Sequence, residues 1–87
     1  MTVAKYAIII APIARKQIDK LHPAIKGRVA NALEVLAGNP FAGKALKWDL
    51  KGLYSYRVGD YRIIYHMVKK TLVIEIIKVM HRREVYN

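Results

Sequence analysis

The chain has 87 residues, 16 Lys+Arg against 6 Asp+Glu, a formal net charge of +10, no cysteine and 54% hydrophobic residues. The length predicts one domain spanning 1–87. The apolar content excludes a disordered basic tail, and the missing thiols exclude disulfides, zinc fingers and iron–sulfur sites.

Ala4 to Ile10 is rich in Ile and Tyr and predicts a strand. Pro12 then stands where a helix accepts its first residue, because the missing N–H is not needed there. Ala14, Ile18 and Leu21 follow at helical spacing, with Arg15, Lys16, Asp19 and Lys20 on the wet face. Pro23 restarts the pattern, and Ile25, Val29, Leu33 and Leu36 form one stripe before Gly38 and Asn39-Pro40 stop it. Two antiparallel helices in a hairpin are expected.

Phe41 to Gly52 has no clear period and predicts a basic loop, with room for a short strand. It carries Lys44, Lys47 and Lys51, and Trp48 is expected to anchor it to the core, the alternative being a flat surface offered to a base. Three strands follow: Leu53 to Val58, Tyr61 to Val68, and Thr71 to Val79. Gly59-Asp60 and Lys69-Lys70 are links of hairpin length. The fold class is therefore α+β: an N-terminal strand, a two-helix hairpin, then an antiparallel β-meander, with the helices on one sheet face. The longest apolar run, Tyr6 to Ala14, is broken by Pro12 and falls short of the ~18 residues of a membrane span. The N-terminus has no convincing signal-peptide cleavage site. A cytoplasmic protein without a membrane partner is expected.

If Gly59-Asp60 is a two-residue loop, Arg57 lies directly opposite Arg62 on one sheet face. Facing like charges destabilise a strand pair, so an anion between them is one explanation. Splaying into water, or neutralisation of one arginine by Glu75, is the other. Tyr54, Tyr56, Val58, Tyr61, Ile63 and Tyr65 line the opposite face and are expected beneath the helices. The C-terminal His81-Arg82-Arg83-Glu84-Val85-Tyr86-Asn87 follows the last strand, and from there Arg82 can swing toward the two arginines. Three arginines, a histidine and a tyrosine would then share one concavity. Such a set suits phosphodiester chemistry: arginine grips phosphate oxygens and offsets transition-state charge, histidine moves protons near neutrality, and RNA supplies a nucleophile in its 2′-OH. The three histidines are widely spaced and no carboxylates cluster, so neither a metal nor a cofactor is expected.

Leu50-Lys51-Gly52-Leu53-Tyr54, Tyr56-Arg57-Val58-Gly59-Asp60-Tyr61-Arg62-Ile63-Ile64-Tyr65 and His81-Arg82-Arg83-Glu84-Val85-Tyr86 resemble the RelE toxins of the RelE/ParE superfamily. The element order agrees, so the resemblance covers nearly the whole chain. It implies a toxin of a type II toxin–antitoxin system that cleaves mRNA in the ribosomal A site without a metal. It implies a cognate antitoxin as partner, with operator DNA bound only through the toxin–antitoxin complex. Arg57, Arg62, Arg82 and Tyr86 match the family's catalytic positions, Tyr86 being the residue that stacks on the substrate base. His81 is the first choice for general base, with Lys51 and Tyr86 behind it; a structural role capping the third strand is the alternative. Lys44, Lys47, Lys51 and Arg83 are expected to bind RNA and the ribosome. One departure stands out: the best-characterised members have a lysine where Ser55 stands. The competing functions are a ParE-type toxin that inhibits DNA gyrase and cuts nothing, and a degenerate homologue that only binds its antitoxin.

Overall fold

The two prolines start both helices. In a computed structural model, which describes residues 5–85 and only the main chain of Glu84 and Val85, α1 spans Pro12–Asp19 and α2 spans Pro23–Gly38. The His22 ring caps α2, its Nδ1 accepting the Ala24 N–H at 3.2 Å. Helical spacing buries Ala14 of α1 and Val29, Ala32 and Leu36 of α2 against the sheet, with Ile18, Leu21, Ile25 and Leu33 partly buried around them. Pro40 then opens a short 3-10 turn, Pro40–Ala42.

The strands are β1 (Ala7–Ile10), β2 (Lys44–Ala45), β3 (Leu53–Val58), β4 (Tyr61–Val68) and β5 (Val73–His81), followed by a single helical turn α3 (Arg82–Val85). Their order in one sheet is β1-β5-β4-β3-β2. The expected α+β architecture holds, with three refinements. First, β1 pairs with β5 in parallel, Ala7 facing Val73, so the sheet is mixed. Ala4, the expected start of this strand, lies outside the described residues; β1 begins at Ala7, and Tyr6 before it gives its N–H to the Ala37 carbonyl (2.8 Å) at the end of α2. Second, the β4–β5 link has four residues, Lys69 to Leu72, rather than the two of Lys69-Lys70. Leu72 takes a left-handed backbone (φ 55°) to close it, and β5 begins at Val73 instead of Thr71. Third, the residues after β5, read from the sequence only as a polar end, form the single helical turn α3. Where β1 ends, α1 takes over: Gln17 Oε1 accepts the Val79 N–H at 2.7 Å.

Tyr65 joins the core to the basic loop. Its ring is fully buried and stacks on Tyr54 at 5.5 Å between centroids. Its hydroxyl donates to the Pro40 carbonyl at 2.7 Å and accepts the Gly43 N–H at 3.1 Å. Gly43 must be glycine there, since a Cβ would press into the Tyr65 ring and stand 2.9 Å from the Ser55 carbonyl. Burial pushes the Tyr65 hydroxyl above its ordinary value of 10.0; the Gly43 hydrogen bond opposes this, and Tyr54 and Tyr56 add to it. A raised folded-state pKa means that the folded chain holds its proton longer than the unfolded chain. This contribution to stability is therefore complete below about pH 10 and is lost as pH climbs past it. We expect Tyr65→Phe to cost about 1–3 kcal/mol, because a buried carbonyl and N–H lose their partner. It should also flatten the alkaline decline. Urea unfolding of both chains between pH 7 and 11 measures both effects.

Candidate functional site

The site is built on the tight β3–β4 turn. Gly59 adopts φ 59°, so Val58 pairs with Tyr61 and Arg57 with Arg62, as the two-residue link requires. Both arginines leave the sheet on the face away from the helices, since Val58 and Ile63, their neighbours in the strands, point into the core. Arg57 is steadied by its Nε–H, which donates to the Gly59 carbonyl at 3.3 Å. Arg82 reaches the same place by a main-chain route: its N–H donates to the Asp60 carbonyl at 2.7 Å. Its guanidinium stands 3.7 Å from Asp60 Oδ1, an ion pair whose two side chains are more than half exposed and which holds weakly. Arg57, Gly59, Asp60, Tyr61, Arg62 and Arg82 line one open concavity of about 240 Å³. Three guanidiniums with one carboxylate between them form an anion site, matched to a phosphate by charge and by the forked geometry of arginine.

Other expected members lie elsewhere. Glu75 sits opposite His66, far along the strand, and neutralises neither arginine. His81 does not line the concavity; it pairs with Tyr61 and meets that ring edge-on at 5.0 Å, on the helix side of the sheet. A bulge explains this. Between Ile64 and Tyr65 the partner strand carries an extra residue, Ile77, which reverses the alternation for the rest of β5. Val79 and His81 therefore face the helices, whereas simple alternation from Ile76 would send them to the arginine face. His81 Nδ1 also accepts the Arg83 N–H at 3.2 Å, as a cap on α3. Tyr86 lies outside the described residues. Lys44 pairs opposite Ser55 at the sheet edge, while Lys47 and Lys51 flank the 3-10 turn Trp48–Leu50 before β3. The β3–β4 turn is at the other end of β3.

Arg28 on α2 belongs beside this cluster although its position on the wet side of the helix does not announce it. A Cβ added at Gly59 would meet its guanidinium at 3.2 Å, and Arg28 shares a second open hollow with Arg57 and Gly59. Gly59 takes the positive φ of the turn and leaves room for this approach. Trp48 does not anchor the loop to the core as expected. It is 90% exposed and holds φ 59°, a conformation that costs a side-chain-bearing residue roughly 1–2 kcal/mol.

The arginine face continues into an apolar hollow of about 260 Å³ lined by Leu46, Leu50, Leu53, Ile64, Ile77 and Met80, with Arg62 and Lys78 at its rim. Ser55 sits in this lining, 5% exposed, and its Oγ has no hydrogen-bond partner. Among the described residues no three His, Asp or Glu side chains gather where a metal could be held.

This arrangement has relatives. The profile of the family described as "ParE toxin of type II toxin-antitoxin system, parDE" matches residues 8–86. The chain belongs to the RelE/ParE toxin superfamily. It is 32% identical to Toxin RelG of Mycobacterium tuberculosis, across 94% of this chain and 97% of that protein. It is 34% identical to Toxin RelE of the same organism, across 94% of this chain and 87% of that protein. The crystal structure of the toxin-antitoxin complex RelBE2 from M. tuberculosis contains a chain that superposes with a TM-score of 0.83 at 32% identity, covering 90% of this chain and 99% of that one. The RelE-like fold expected from the motifs is therefore the observed one, and no helix among its described residues is long and apolar enough to cross a membrane.

Proposed function

We propose that this RelE/ParE toxin is a ribosome-dependent endoribonuclease that cuts mRNA in the A site and is restrained by a cognate antitoxin. The observation that carries the reading is the convergence of Arg57, Arg62 and Arg82 on one open concavity. In the reaction the 2′-oxygen bonds to the adjacent phosphorus, the bond to the 5′-oxygen breaks, and the proton lost by the 2′-OH is balanced by one delivered to the leaving oxygen. Charge accumulates on the equatorial phosphate oxygens between those steps, and the arginines offset it. Arginine cannot take the 2′-OH proton; the Asp60 carboxylate in the same lining, or a group of the ribosome, receives it. The place of His81 behind Tyr61 favours its structural role over that of general base.

Free RNA is a poor substrate on this reading. A small cationic surface grips phosphates without aligning them, and alignment supplies up to ~7–11 kcal/mol. The ribosome, in the cytoplasm, provides it. The partner that fits a chain of net charge +10 with an apolar hollow beside its arginines is an acidic, amphipathic antitoxin segment. Operator DNA would be reached only through that complex.

Primer extension on a message under translation is the test. Discrete cuts on ribosome-bound message, ending in a 2′,3′-cyclic or 3′-phosphate and a 5′-hydroxyl, are expected, together with no cut where the nucleotide is 2′-deoxy. An intact message beside an inhibited gyrase would transfer the protein to the ParE activity. An intact message with gyrase also active would leave only the antitoxin-binding role.

A further inference from the structure

Trp48 is the feature that the fold itself does not explain. A tryptophan is among the costliest side chains to leave in water, yet this one is 90% exposed. Its left-handed backbone is a conformation that glycine or asparagine adopts readily and a bulky residue does not. An observed outlier of this kind points to function. The surroundings indicate which. Lys47 precedes the ring, Lys51 follows it by three residues, and Lys44 stands on the adjacent edge strand, all exposed, with Asp49 as the single nearby acid.

We propose that Trp48 is a stacking platform for an unpaired RNA base, with Lys44, Lys47 and Lys51 holding the phosphates on either side. An exposed flat ring amid cations is how sequence-tolerant contacts to single-stranded nucleic acid are built. The loop rejoins the sheet at Leu53, and a strand rise of about 3.3 Å per residue sets that point roughly 13 Å from Arg57. Trp48 lies before the start of β3 and Arg57 near its end, so the base on Trp48 is a contact separate from the phosphate held by the arginines. The occupant is nucleic acid rather than an acidic protein segment because the ring stands proud of the surface. A protein partner would need a pocket of its own to enclose it, whereas a base needs only the open face. The inference rests on the RNA-directed reading of the protein but concerns a different contact.

Trp48 is the chain's one tryptophan, so intrinsic fluorescence reports on this ring alone. The probe is a 2′-O-methyl RNA oligonucleotide, which binds and cannot be cut; inorganic polyphosphate is the control that carries charge without bases. The oligonucleotide should quench and shift the emission of the full chain, and polyphosphate should bind without doing so. Trp48→Asn, chosen because asparagine keeps the left-handed backbone, should weaken oligonucleotide binding about 5- to 150-fold, the equivalent of ~1–3 kcal/mol. It should leave polyphosphate affinity within about twofold, and Trp48→Phe should recover much of the loss.

Oligonucleotide binding with unchanged emission would overturn the proposal. So would a Trp48→Asn chain that binds the oligonucleotide like the original. Emission that responds to the antitoxin but not to RNA would reassign the ring to the protein partner and overturn it too. Quenching by RNA in a protein that leaves translated message intact would uphold the stacking contact while removing the nuclease reading, so the two failures are distinguishable.

Discussion

Arg62→Ala is expected to lower cleavage of ribosome-bound message about 10²–10³-fold, the usual loss when one preorganised donor to a developing anion is removed. Arg57→Ala should act similarly. Both side chains face the same open concavity, and neither contributes to the core. Their removal should not harm folding: they sit directly opposite one another, and relieving facing like charges contributes about 0.2–1 kcal/mol of stability. Loss of activity with an unchanged or slightly raised urea midpoint is therefore the expected pair of results. His81→Ala is the companion measurement. Its ring packs on Tyr61 and caps α3, so the variant should keep its cleavage rate within about tenfold and lose some stability instead. A His81→Ala rate 10²–10⁴-fold down at full stability would restore the histidine as the proton carrier. Arginine variants that unfold would show that the cluster is structural.

Leu36→Ala should be the most damaging single truncation for the fold, at about 2–5 kcal/mol. Leu36 is 0% exposed and lies near the end of α2 among Val29, Ala32, Tyr65 and the β5 residues of the core. The next residue, Ala37, is buried as well and accepts the Tyr6 N–H that brings the chain onto the helix before β1. A cavity there would undermine two elements together. For a domain of this size each kcal/mol shifts the melting midpoint by roughly 4–8 °C, so a loss of ten degrees or more is expected. Val35→Ala, one position away but 47% exposed, should stay within about 0.5 kcal/mol. Equal effects at the two positions would mean that α2 is rotated from the orientation described.

The arginine pair was legible because its geometry is local. A two-residue link with a glycine leaves one register, and register decides which side chains face each other. The helices were legible through their prolines and apolar stripes. His81 was not, because one extra residue, Ile77, reverses the faces of everything after it, and no residue type marks that bulge. Nor was the outward turn of Trp48. The general preference of tryptophan for burial does not decide which way a single ring in an irregular loop turns. Arg28 escaped because its relevance comes from tertiary approach to Gly59, which helical periodicity does not encode. Ser55 was visible as a departure from a family lysine. Its unpartnered, buried hydroxyl depends on the packing of β2 and the apolar hollow, and only the structure shows that.

The parallel pairing of β1 with β5 bears on the order in which the protein folds. The hairpin of β3 and β4 and its extension to β5 join neighbours in sequence, so they close small loops at little entropic cost and form early. That early piece already holds Arg57 facing Arg62. β1 is made first but has to wait: Ala7 finds its partner only at Val73, near the other end of the chain, after both helices have been laid across the sheet. Its insertion closes the largest loop of any strand pairing among the described residues, so loop-closure entropy makes it the expected slow step of refolding. Weakening the β1 register should therefore slow refolding while the hairpin that carries the arginines still forms on time.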